Sequence, residues 1–149
     1  MSVKTSTGLS AYLAVTGSLK DAFDGGLIKV FDGTPPSSPD DAEVGTLLWT
    51  ISVDGDGTGL TFDPTPVGRA LVKPAAATWQ GATTAGTPTY YRLVAAGDTG
   101  SGSTTQPRVQ GSVGAVPGVD LYMTNPTLVT NANLNAKVLL SYSLSLPAE

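Results

Sequence analysis

Cysteine and histidine are both absent from the 149 residues. Without cysteine there is no disulfide framework, no thiol nucleophile and no zinc–thiolate site. Without histidine the chain lacks the commonest general base, the commonest metal ligand and the side chain that titrates nearest physiological pH. Charge is also scarce. Asp, Glu, Lys and Arg make up 13% of the chain, about half the usual share. The eight cations are scattered (Lys4, Lys20, Lys29, Arg69, Lys73, Arg92, Arg108, Lys137) and the net charge is −4. Counterion-release binding to nucleic acid needs clustered cations, so no direct DNA or RNA contact is expected. The N-terminal MSVKTSTGLSAYLAVTGS lacks the apolar core of a secretory signal, and no later run is long enough to span a bilayer. The expectation is a protein made and folded in a cytoplasm, with no membrane partner.

What is present suits a packed domain. Apolar residues make up 40% of the chain, enough for a core, and glycine and proline number 18 and 11. The polar surface is therefore mostly Ser, Thr, Gly, Asn and Gln, which fits a protein packed against neighbours better than one kept soluble by charge.

Periodicity gives the elements. Leu9, Leu13, Leu19, Ala22 and Phe23 with Gly17-Ser18 between them predict two short helical pieces. Ser18 is the N-cap of the second and Gly25-Gly26 its stop. From Leu27 the pattern turns to strand: Leu27–Phe31, then Leu47–Val53 with Leu47, Trp49, Ile51 and Val53 on one face. Leu60–Phe62 resumes beyond a Gly/Asp turn, as in a hairpin. Arg69–Lys73, Thr89–Ala95, Arg108–Val113 and Asp120–Met123 follow, with an Asn125-Pro126 turn after the last. Ala136–Leu146, with serine on one face, reads as the clearest strand of all. Gly33–Gly45, with PPSSPDD, and Pro74–Gly86 read as loops. Seven or eight short strands in one domain over 1–149 predict a mainly β fold. It would be an antiparallel β-sandwich or jelly-roll-like barrel with a short N-terminal helical segment, residues 1–13 being a candidate extended arm.

Three motifs invite chemistry. VDGDGTGLTF at 53–62 puts Asp54, Asp56 and Thr58 at odd positions with Gly59 sixth, like the front of an EF-hand loop. The twelfth position, where a bidentate Glu belongs, is Thr65 between two prolines, and strands rather than helices flank it. The reading is a hairpin turn, with Asp54, Asp56, Thr58 and Asp63 left as candidates for a non-EF calcium site. GDTGSGST at 97–104 imitates a phosphate loop, but Ser103 stands where the lysine belongs. Asp40, Asp41 and Glu43 are adjacent acids in a polar loop, not two carboxylates held across a cleft. No catalytic residue, cofactor or small-molecule substrate is expected.

Tyr90-Tyr91-Arg92 lies on a strand, so alternation predicts one Tyr in the core and one exposed beside Arg92, a good interface pair. Trp49 reads as core. Trp79, in a small-residue loop, reads equally as a lid over the core or an interface anchor. Leu9, Tyr12, Leu13, Pro35 and Pro36 complete the interface candidates with Trp79, Tyr90 and Arg92.

Several strings are idiosyncratic: the DGG–strand–GTPP segment from Asp24 to Pro36, TISVDGDGTGLTF from Thr50 to Phe62, and YRLVAAGDTG from Tyr91 to Gly100. Over Val15–Leu146 the chain resembles small structural proteins of tailed bacteriophage and prophage virions. The resemblance implies a virion component, most simply a capsid decoration (cement) protein on the outer head surface. Its implied partners are the major capsid protein and copies of itself, with 1–13 and 33–46 as arms. Two alternatives stay open: a tail or head–tail connector component with 74–88 as an inserting hairpin, and a virion protein that binds host glycan through Tyr90 or Trp79.

Overall fold

The computed structural model describes residues 3–65, 70–123, 127–130 and 143–145. In chain order the elements are β1 (Lys4–Thr5), α1 (Thr7–Val15), α2 (Leu19–Phe23), β2 (Leu27–Phe31), β3 (Leu47–Val53) and β4 (Ala70–Val72). Then come β5 (Trp79–Gln80), β6 (Tyr90–Val94), β7 (Arg108–Gly114), β8 (Leu121–Tyr122) and β9 (Ser143–Ser145). The fold is mainly β. One sheet of seven strands runs β1-β7-β6-β2-β3-β5, antiparallel along that path, with β8 parallel to the far half of β7. The sheet is not closed on itself, and β4 and β9 form a separate antiparallel pair.

The helices form where the caps direct. Ser18 accepts from the Asp21 N–H while Asp21 accepts from the Ser18 N–H, a reciprocal capping box. Gly25, at a φ of +82°, ends that turn. Ser6 caps α1, its Oγ accepting from the Leu9 N–H at 3.0 Å. The same oxygen accepts from the Arg108 N–H at 2.8 Å and donates to the Gln106 carbonyl at 2.8 Å. Ser6 thus ties the start of α1 to β7. The stretch expected as an arm lies folded against its own sheet from residue 4 on, with Leu9 in the core.

Register sorts the side chains into two faces. Ile51, Ile28, Leu93 and Val109 stand in one row across four strands, with Trp49, Val30 and Tyr91 in the next row on that face. This face, closed by Leu9, Phe23, Leu60, Phe62 and Trp79, is the apolar core. The other face carries the row Thr50, Lys29, Arg92, Gln110 and Lys4, flanked by Phe31 and Tyr90 on one side and Val94 and Arg108 on the other. It is covered too: every residue of β6 is buried.

Several expectations change here. Tyr90 and Tyr91 are both buried, because a loop roofs the face expected to meet solvent. In β3 the alternation slips: Phe31 pairs with Leu47 but Val30 with Trp49, so Leu48 is the extra residue of a bulge and is buried out of phase. Leu60–Phe62 is not a strand. The hairpin stops at one Val53–Thr58 bridge, and Leu60 then pairs its N–H and carbonyl with Gly26 and Gly25. Pro74–Gly86 contains β5, laid along β3, with Trp79 edge-on to Phe62 at 5.3 Å in the core. Of the strand expected over 136–146, only 143–145 is among the described residues, paired with β4. The Asn125-Pro126 turn lies outside them.

Candidate functional site

The densest polar constellation is the roofed face of the sheet. Its roof is the loop between β2 and β3. Pro36 and Pro39 have no N–H to give, so this stretch is rich in acceptors. Arginine is donor-only, and the strands beneath place two arginines under it.

Arg92 donates from Nε to Gln110 Oε1 at 2.9 Å, from Nη1 to the Asp41 carbonyl at 2.8 Å and from Nη2 to the Ser38 carbonyl at 3.2 Å. Arg108 donates to the Pro39 carbonyl at 3.1 Å and the Ser101 carbonyl at 2.6 Å. It also grips Asp98 with two bonds of 2.6 and 2.7 Å. Gln110 Nε2 reaches the Pro36 carbonyl at 2.8 Å, Lys4 Nζ the Ser37 carbonyl at 2.8 Å, and the Ser103 N–H the Asp40 carbonyl at 2.8 Å. Every carbonyl from 36 to 41 therefore accepts a hydrogen bond from outside the loop. The roof is further pinned by Thr7, whose N–H and hydroxyl both donate to Asp40, and by Lys29 on Glu43 at 3.0 Å. The Tyr90 hydroxyl, stacked ring-to-ring on Phe31, donates to the Val44 carbonyl.

Both guanidinium groups are fully buried. Burial disfavours the Arg92 cation and pulls its pKa down, and only neutral acceptors touch it. The hydrogen bonds that Arg108 donates to Asp98 raise its pKa against the opposing effect of burial. Burial alone would raise Asp98, but its bonds from Arg108 and the Gly100 N–H outweigh that and hold the carboxyl below its ordinary value. Burying Tyr90 pushes its phenol up. The carboxylate that touches the arginines, Asp98, is thus already matched to Arg108. What this arrangement does is hold an irregular loop in one shape.

The other candidates lie apart from it. Asp54 to Gly57 form an exposed turn, with Asp54 at a φ of +55° and Gly55 and Gly57 at +73° and +88°. Asp56 accepts from the Thr58 N–H at 2.7 Å, a bond that lowers its pKa, and Asp63 accepts from the Thr65 N–H at 2.8 Å. Each carboxylate in these two bonds turns back on its own chain. Among the described residues no three of Asp, Glu, His and Cys stand close enough to hold a metal ion. Beside the turn, Leu47–Thr50, Ser52, Ala82 and Thr84 line an open groove of about 390 Å³.

Of the interface candidates, Leu9, Trp79, Tyr90 and Arg92 are buried within this chain and offer no surface. Tyr12 and Leu13 are half-buried against the core, and Pro35 and Pro36 half-buried at the roof. The exposed large apolar residues include Val15, Val116, Tyr122 and Val129 instead. Sequence reasoning missed Arg108, Gln110 and Asp98. One signal was available: Arg92 and Arg108 sit inside otherwise apolar strands of a chain with very few cations.

The chain matches no known protein family, no curated protein and no solved structure.

Proposed function

We propose that the chain is a non-enzymatic structural protein of a tailed-bacteriophage virion, a capsid decoration protein. In this reading it binds the outer head surface as a homo-oligomer and bridges major capsid subunits. The resemblance of Asp24–Pro36, Thr50–Phe62 and Tyr91–Gly100 supplies the setting. The supporting observation is that the central strands β2, β6 and β7 are covered on both faces by the chain itself. A partner therefore meets edges and loop tips rather than a face. One such edge is β1, the end strand of the sheet, with both residues exposed. Its outer side has no paired strand among the described residues and suits strand addition by a neighbour, a contact that symmetry then repeats.

The test is the copy number of this chain in purified virions, weighed against the major capsid protein by quantitative mass spectrometry. Hundreds of copies in a simple lattice ratio are expected. A handful of copies would move the protein to the neck or tail, and absence from the particle would end the structural reading.

A further inference from the structure

We propose that Asp54–Gly55 is a site of spontaneous aspartate isomerisation, at which the chain alters its own backbone with water as the only co-reactant. The Gly55 nitrogen bonds to Asp54 Cγ while the amide hydrogen and the carboxyl hydroxyl leave as water, closing a five-membered succinimide. Water then opens the ring. Cleavage of the bond to the side-chain carbonyl restores aspartate. Cleavage of the bond to the main-chain carbonyl leaves isoaspartate, with the backbone routed through the side chain and the former backbone carbonyl freed as a carboxylate. No electrons are exchanged, and the water lost in the first step returns in the second.

The sequence has four Asp–Gly pairs: 24–25, 32–33, 54–55 and 56–57. Glycine leaves each following nitrogen unshielded by a Cβ. The fold protects three of them. Asp24 accepts from the Phe62 N–H at 3.2 Å and pairs with Lys20, while the Gly25 N–H is held by the Leu60 carbonyl at 2.8 Å. Asp32 accepts from the Thr46 N–H. Asp56 accepts from the Thr58 N–H, and the Gly57 N–H is held by Ser52 Oγ at 3.0 Å.

Asp54 differs from all three at its carboxylate, and from Asp24 and Asp56 at the following N–H as well. Among the described residues its carboxylate accepts no hydrogen bond and the Gly55 N–H donates none. Both residues are exposed. Asp54 is also the one non-glycine residue among them in the left-handed region, a backbone state that disfavours a side chain. Its main-chain carbonyl accepts from Gln80 Nε2 at 2.9 Å, a donor that the new carboxylate would keep. The reaction lies at the rim of the groove beside β3, which Gly55 and Asp56 help to line.

The test ages the full-length folded chain at neutral pH and maps isoaspartate with endoproteinase Asp-N, which does not cut at isoaspartate, and electron-transfer fragmentation. Asp54 is expected to convert on the order of tenfold or more faster than Asp24, Asp32 or Asp56, since those must first break hydrogen bonds. In denaturant the four rates should converge. Ser52→Ala, checked for native circular dichroism, frees the Gly57 N–H and should raise conversion at Asp56. Equal rates at Asp54 and Asp56 in the folded chain would overturn the proposal, as would an Asp56 rate unmoved by S52A.

Discussion

Asp98 and Arg108 show how much one residue pair can carry in a chain with little charge. Both side chains are about 1% exposed, and their two hydrogen bonds are parallel. Asp98→Asn keeps the shape but leaves Arg108 buried without its counter-charge. It is expected to cost about 3–5 kcal/mol of unfolding free energy near neutral pH, measured by urea denaturation. The pH dependence follows from the lowered carboxyl. Because the folded pKa lies below the ordinary 3.8, the unfolded state binds more protons between the two values. The contribution of Asp98 is therefore fully present above the ordinary carboxylate range and is lost as pH falls through the folded value. Wild type should lose stability along that limb, and D98N should show a flatter one.

The loop from 36 to 41 is an element with no internal ladder, ordered by donors that lie far away in sequence. Arg92 reaches it across 51 and 54 residues, Arg108 across 69 and Gln110 across 74. Removing Arg92 takes a buried donor from two of these carbonyls at once, those of Ser38 and Asp41. Arg92→Ala should cost roughly 2–4 kcal/mol. It should also open the loop locally, so that cleavage after Glu43 by a glutamate-specific protease quickens by about tenfold or more, while tryptic cleavage after Lys29 in β2 stays slow. Wild-type resistance retained in R92A would show that the arginine is not what holds the loop. The same distances explain what could be read from the sequence. β2, β3 and α2 were legible because period-two alternation and a capping box are local signals. The buried state of Tyr90 and Arg92 was not, because it depends on a roof some fifty residues away. The bulge at Leu48 is set by pairing with Phe31, which no window along β3 contains. β5, two residues long, is too short for any period.

At the scale of the molecule, the proposed decoration role and the exposed Val15, Val116, Tyr122 and Val129 lead to one thermodynamic expectation. If copies associate, the native state gains by mass action, and the melting midpoint should climb with protein concentration and again on addition of expanded capsids. A midpoint fixed across a hundredfold dilution and unmoved by capsid would count against a symmetric oligomer. The roof over the arginines has a consequence of a different kind. Arg92, Arg108 and Gln110 read it through main-chain carbonyls, groups that every amino acid owns. Its course is therefore largely indifferent to the side chains it displays: Thr34, Ala42 and Val44 are exposed and leave the carbonyl contacts of 36–41 to their neighbours. Such a loop is a fixed frame with an exchangeable face. Substitutions at those three positions should change what the outside world meets while the scaffold keeps its shape, which makes this rim the place where the protein can diversify at least cost to its folding.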